Sequence, residues 1–282
     1  MSEIPIFWGR KFVPKTLSRK RSDGRRWWVR LFFVSLCLGI ILPSVIIPSY
    51  QRYRIIKTSI RSLFGTNVDW NNPYIEIAEK ALKRLPQDHL TSLEHVSINV
   101  HTADKTRGKA NSAQLIINAE GLPVEEFLSV FIHEMGHVVD LGSLRSIGFE
   151  PTAFRNTKVG DLSLDFYTIS WDASQIQKKA ARKEDFVSDY AQENAYEDFA
   201  ESYLFYVLHG KEFRKRAETN AVLQKKYDFF QQFVFDGHEY DFTQPNYEYP
   251  AHFFDTTLLP YNFWRFFELS PKTNEIVKKE PI

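Results

Sequence analysis

The chain has 282 residues and a net charge of +1, with 25% charged and 43% apolar residues, which excludes disordered, collagen-like and low-complexity classes for the chain as a whole. Its single cysteine, Cys37, excludes an internal disulfide and a cysteine-based zinc cluster. The near-neutral total hides an uneven distribution: residues 1–30 carry +7, residues 31–51 carry none, residues 52–61 carry +4, and residues 62–282 are left at −10.

The uncharged stretch reads LFFVSLCLGIILPSVIIPSYQ. As a helix it spans about 31 Å, close to the hydrocarbon thickness of a bilayer, so residues 31–51 are predicted to be a transmembrane signal anchor. Trp27, Trp28 and Tyr50 flank it, where interfacial aromatics belong. Nine Arg and Lys residues precede it against four that follow in residues 52–61. The positive-inside rule then places residues 1–30 in the cytoplasm and the chain after the span outside it. A cleaved signal peptide is the alternative, but the apolar core is long and no good small-x-small site follows. Beside an apolar span the basic segment is expected to set orientation or meet anionic lipid, not nucleic acid.

Residues 52–72 read as a juxtamembrane linker. Asn72-Pro73 then forms an N-cap followed by proline in the first turn, and Ile75, Ala78, Ala81, Leu82 and Leu85 mark one apolar helix face ending before Pro86. Residues 94–100 alternate as a strand, and residues 114–118 read as a second. A helix is predicted from Gly121-Leu122-Pro123 to about Leu141, with Gly142 as its stop. Residues 143–172 look irregular. Helices follow at 172–183, 194–209 and 211–234, and residues 241–282 form an aromatic-rich extension expected to pack on the domain at 73–240. Few strands and many helices give an α+β, helix-dominant class.

Within the predicted helix 121–141 lies His133-Glu134-Met135-Gly136-His137. Histidines at i and i+4 share a helix face, so both imidazoles reach one metal ion, while Glu134 sits about 100° around the helix, placed to act on a water as general base. By composition the pentapeptide arises in roughly one chain of this length in a hundred, so its amphipathic setting carries part of the weight. A catalytic site needs a third protein ligand. Asp140 shares the histidine face but would crowd the ion, so it suits a helix-end or supporting role. His209 and His238 are isolated in sequence. Glu197 and Glu201, spaced i and i+4, form either a ligand with its hydrogen-bonding neighbour or a solvated charged face.

The HEMGH helix ending in Val138-Val139-Asp140, with the later segment Ser188-Asp189-Tyr190-Ala191-Gln192-Glu193-Asn194-Ala195-Tyr196-Glu197-Asp198-Phe199-Ala200-Glu201-Ser202-Tyr203, resembles the anthrax lethal factor-like metallopeptidases, which include the Pro-Pro endopeptidases. The resemblance covers roughly residues 110–235. It implies a zincin-like fold with a small sheet beside the metal-binding helix and one catalytic Zn2+ held by His133, His137 and Glu197. It further implies Tyr190 as the hydroxyl facing the oxyanion and Glu201 as the carboxylate supporting a ligand histidine. The expected activity is endopeptidase cleavage of a protein or peptide outside the cytoplasm, with the strand at 114–118 beside the cleft receiving an extended substrate. The separation of 60 residues from His137 to Glu197 is long, which makes 143–172 an insertion able to reshape the cleft. The alternative is a non-catalytic zinc-binding module, which would require neither a base at Glu134 nor a donor at Tyr190.

Overall fold

The computed structural model describes residues 53–66, 68–146, 150–155, 157–268 and 275–281. The predicted span at 31–51 and the basic segment before it lie outside these. Among the described residues no helix is long and apolar enough to cross a membrane. The architecture is mixed α+β and rich in helix, with three small sheets.

Strand β1 (Tyr53–Ser59) pairs antiparallel with the last strand, β7 (Glu275–Pro281), from Tyr53 opposite Pro281 to Ser59 opposite Glu275. A 3-10 turn follows at Ile60–Phe64 and buries Ile60, Leu63 and Phe64. The stretch read as a linker therefore belongs largely to the folded unit, which runs from Tyr53 to Ile282. Helix α1 (Pro73–Arg84) starts as the sequence requires: the Asn72 side chain accepts from Tyr74 N–H at 2.9 Å, with Pro73 in the first turn.

The main sheet has the order β2-β4-β3. Strand β2 (His95–Asn99) runs parallel to β4 (Gln114–Asn118), and β3 (Gly108–Ala110) lies antiparallel on the other side of β4, Lys109 opposite Ile116. The strand at 114–118, expected beside the cleft, is thus central. Its Leu115 and Ile117 are fully buried, and the edge belongs to β3, whose three residues are too few and too polar to carry an alternation signal.

Helix α2 (Val124–Val138) carries the HEMGH motif and ends in a π-helical turn at Val139–Ser143. Within the expected irregular insertion a helix forms, α3 (Ser163–Ser170), burying Phe166 and Tyr167. Residues 172–183, expected to be helical, instead form the hairpin β5 (Trp171–Ala173) and β6 (Ile176–Gln177), followed by a short 3-10 turn. Ile176 is 60% exposed on this hairpin. Helix α4 (Ala195–Ala217) runs through the predicted end at 209 with only a local kink, His209 at φ −128°, ψ 28°. A new helix, α5 (Ala221–Phe229), begins where the Asn220 side chain caps Val222 and Leu223 N–H, splitting the expected helix 211–234. Helix α6 (Phe263–Glu268) closes the unit before β7.

The core forms where α2 crosses α4. A Cβ on Gly136 would lie 2.9 Å from Ala200 Cα. The glycine inside HEMGH therefore lets the two helix backbones approach, which brings Glu197 and Glu201 to the histidines.

Candidate metal centre

Three donor atoms converge between α2 and α4. His133 Nε2 and His137 Nε2 lie 3.2 and 3.4 Å from Glu197 Oε2, and the three donors all fall within 4.8 Å of one another. Four-coordinate zinc with ligands at about 2.0–2.1 Å separates its ligand atoms by roughly 3.3–3.4 Å, so the spacing fits a shared ion. The buried Glu197 Oε2 is also aligned for a hydrogen bond with neither ring. A carboxylate oxygen left so, with two ring nitrogens beside it, has the donor pattern of a ligand set and not of a hydrogen-bonded cluster.

Local sequence explains each placement. Asn194 caps α4 by accepting from Tyr196 and Glu197 N–H, both at 3.0 Å, which fixes Glu197 in the first turn. One turn on, the fully buried Glu201 accepts from His133 Nδ1 at 2.9 Å, from Ser188 Oγ at 2.6 Å and from the backbone N–H of Thr256 at 2.9 Å. With Nδ1–H directed to Glu201, His133 presents Nε2 to the cleft. In the metal-free protein burial alone would lower both histidines, but Glu197 raises His137, and Glu197 with Glu201 raises His133 well above its ordinary value. Burial pushes Glu197 upward, yet the two rings outweigh it and hold the carboxyl well below the usual range.

Glu134 is nearly buried, and burial raises its carboxyl. It faces β3 so closely that a Cβ on Gly108 would lie 2.4 Å from Oε1. Tyr190 stacks obliquely on His133, ring centroids 6.2 Å apart. Burial, then the carboxylates of Glu197 and Glu201, push its hydroxyl up to about 12, so it remains a proton donor. Two hollows meet here. One, of about 410 Å³, lies along β3 toward Arg155 and Tyr196. The other, of about 130 Å³, is walled by Arg107, Val130, Asp255 and Thr257. His133, Glu134, Tyr190 and Gly108 border both. Hollows of about 480 and 500 Å³ elsewhere hold no such donor set among the described residues.

Of the other sequence candidates, Asp140 is buried at the end of α2 with its carboxylate turned to Tyr167 Oη, at 2.6 and 2.5 Å, away from the donor triad. Burial raises it to about 6. His209 is buried against Tyr249 Oη at 2.8 Å, and His238 stacks edge-on with Tyr240. Neither joins the cluster. Sequence reasoning missed Gly108, Ser188, Asp255 and Thr256. Only Asp255-Thr256-Thr257 carried a local signal, an Asp accepting from the N–H two residues on, at 2.7 Å.

No family model matches the chain, and neither a curated protein nor a solved structure matches it.

Proposed function

We propose that the chain is a zinc endopeptidase of the lethal factor-like kind, anchored through residues 31–51 with the folded unit outside the cytoplasm. The observation that carries this reading is the convergence of His133 Nε2, His137 Nε2 and Glu197 Oε2 beside a glutamate that is not one of the donors. Two imidazoles and a carboxylate suit zinc better than calcium or magnesium. When bound, the ion supplies Lewis acidity toward a carbonyl oxygen and makes water more acidic.

The chain's own residues do the rest. Glu134, beside the donors and in contact with β3, takes a proton from the attacking water and returns it to the leaving nitrogen. Tyr190, with no hydrogen bond from its hydroxyl among the described residues, donates to the carbonyl oxygen as it becomes negative. The edge strand β3 is free on its outer side among the described residues, so an extended peptide can pair with its backbone and cross the junction of the two hollows. Glu201 keeps His133 oriented throughout.

The test is metal analysis of the purified full chain, followed by cleavage of a peptide library with and without a chelator. Bound zinc near one per chain, with cleavage lost on chelation, is expected. Glu134→Gln is expected to keep the metal and lose cleavage. Undiminished proteolysis by that variant would refute the mechanism, and zinc without cleavage in the wild type would favour a non-catalytic zinc module.

A further inference from the structure

We propose that Arg155 selects substrates carrying an acidic side chain close to the scissile bond. The proposal rests on the peptidase reading and assigns that site a substrate class.

Arg155 lies in the segment between the two metal-binding motifs and lines the larger hollow together with His137, Glu197 and Tyr196. Its backbone is held on both sides. Its N–H donates to Ser174 Oγ at 2.7 Å, its carbonyl accepts from Tyr196 Oη, and those two hydroxyls lie 2.9 Å apart. Tyr196 directly precedes the ligand Glu197 in the capped first turn of α4. The segment is therefore fastened to the same helical turn that supplies the third metal ligand, and Arg155 is carried into the cleft by a fixed backbone.

The side chain is what remains unused. Among the described residues its guanidinium pairs with no carboxylate, although other cations of this region do: Arg107 with Glu126 and Asp255, and Lys109 with Asp104 at 2.5 Å. Lys109, which lines the same hollow, is thus already paired. An exposed guanidinium at the rim of the cleft offers a planar fork of donors that fits a carboxylate at two points. The surrounding chain gives this charge contrast, because residues 62–282 total −10. A long-range field of that sign does not attract acidic peptides, so a preference for them has to be local. A peptide paired along β3 runs past Lys109 and Ala110 into this hollow, which places one of its side chains against Arg155.

The experiment uses the zinc-loaded full chain and pairs of peptides that differ only by Asp or Glu against Asn or Gln at each position around a cut found in the library. The readout is the ratio of kcat/KM within each pair. An acidic preference of roughly three- to tenfold is expected at one position on one side of the cut, the size of a charge-assisted contact partly screened by solvent. Arg155→Gln is expected to bring the ratio near one, and Arg155→Glu to push it below one. Both variants keep the backbone hydrogen bonds at position 155, so folding is retained. Cleavage with no acidic preference, or a preference that survives Arg155→Gln, would overturn the proposal and leave the peptidase reading standing. Absence of any zinc-dependent cleavage would overturn both.

Discussion

At the scale of single residues the site depends on two groups that touch no metal. Glu201 is completely buried and accepts three donors, from His133, Ser188 and Thr256. Its removal leaves His133 free to rotate and strands buried donors. Glu201→Ala is therefore expected to weaken zinc binding by about 10- to 100-fold, measured by competition with a chromogenic chelator; an unchanged affinity would mean that His133 is oriented by packing alone. Gly108 acts on the base. Gly108→Ala places a methyl group into Glu134, so kcat is expected to fall while zinc stoichiometry stays at the wild-type value. Loss of metal in that variant would show that the strand supports the ligands rather than the base. Helix spacing puts His133 and His137 on one face and Glu197 and Glu201 on another, but the choice of Glu197 as a ligand rather than part of a solvated charged face came only from the family resemblance. Gly108 and Thr256 were not legible in the sequence, since each acts across the fold, Thr256 from 55 residues away through a backbone N–H that no side-chain pattern announces.

At the scale of elements, α4 presents buried acidic side chains to two different sets of partners. Glu197 and Glu201 point to the metal centre. Asp198, one residue on from Glu197, is fully buried against Lys226 Nζ of α5 at 2.7 Å and against Trp171 Nε1 of β5 at 2.9 Å. That pair ties together the hairpin after the insertion, the ligand helix and the helix after it. Breaking it on one side, as in Lys226→Met, is expected to destabilise the fold by about 3–5 kcal/mol, read as a shift in the urea midpoint. Adding Asp198→Leu should recover much of the loss, and failure to recover would mean that Trp171 depends on Asp198 more than the pair does. The kink of α4 carries a second, pH-dependent expectation. Burial, with Arg216 nearby, lowers His209 to about 3. Its folded pKa lies below the unfolded value of about 6.5, so the stability it contributes is complete above pH 6.5 and is lost as pH falls toward 3. Between those limits His209→Gln should reduce the slope of unfolding free energy against pH by about 1.4 kcal/mol per unit. At 172–183, expected to be helical, the chain pairs as a hairpin that leaves Ile176 in solvent. Where the sequence succeeded, cap and period agreed at α1, whereas α2 has no side-chain cap and rests on its apolar period alone.

At the scale of the whole molecule, the aromatic C-terminal stretch packs against the residues around the donor cluster. Tyr190 N–H donates to Phe254 O at 2.7 Å, Arg107 reaches Asp255, and Thr256 N–H reaches Glu201. Tyr261, Phe263 and Phe266 are buried in the common core, and β7 returns to pair with β1. The sequence marked this region as an aromatic extension packing on the domain but not its contacts with the site, because those join residues more than 50 positions apart. The geometry makes metal binding and global stability one equilibrium. Without the ion, the Glu197 carboxylate faces two ring nitrogens and raises both histidines above their ordinary value, so a metal bound there would compete with protons. Zinc at 100 times its Kd should therefore add about 2.7 kcal/mol to stability, or roughly 5–10 °C in Tm for a chain of this size, and a chelator should remove it. A chain truncated after residue 252 lacks Asp255 and Thr256 as well as the aromatic core residues that follow. It is expected to lose both the zinc-dependent shift and much of the baseline Tm. Point substitution separates the two effects: Glu201→Ala should shrink the zinc-dependent shift at a given zinc concentration by weakening Kd. If calorimetry shows the full shift in the truncated chain, the C-terminal segment only covers the core and takes no part in holding the metal site.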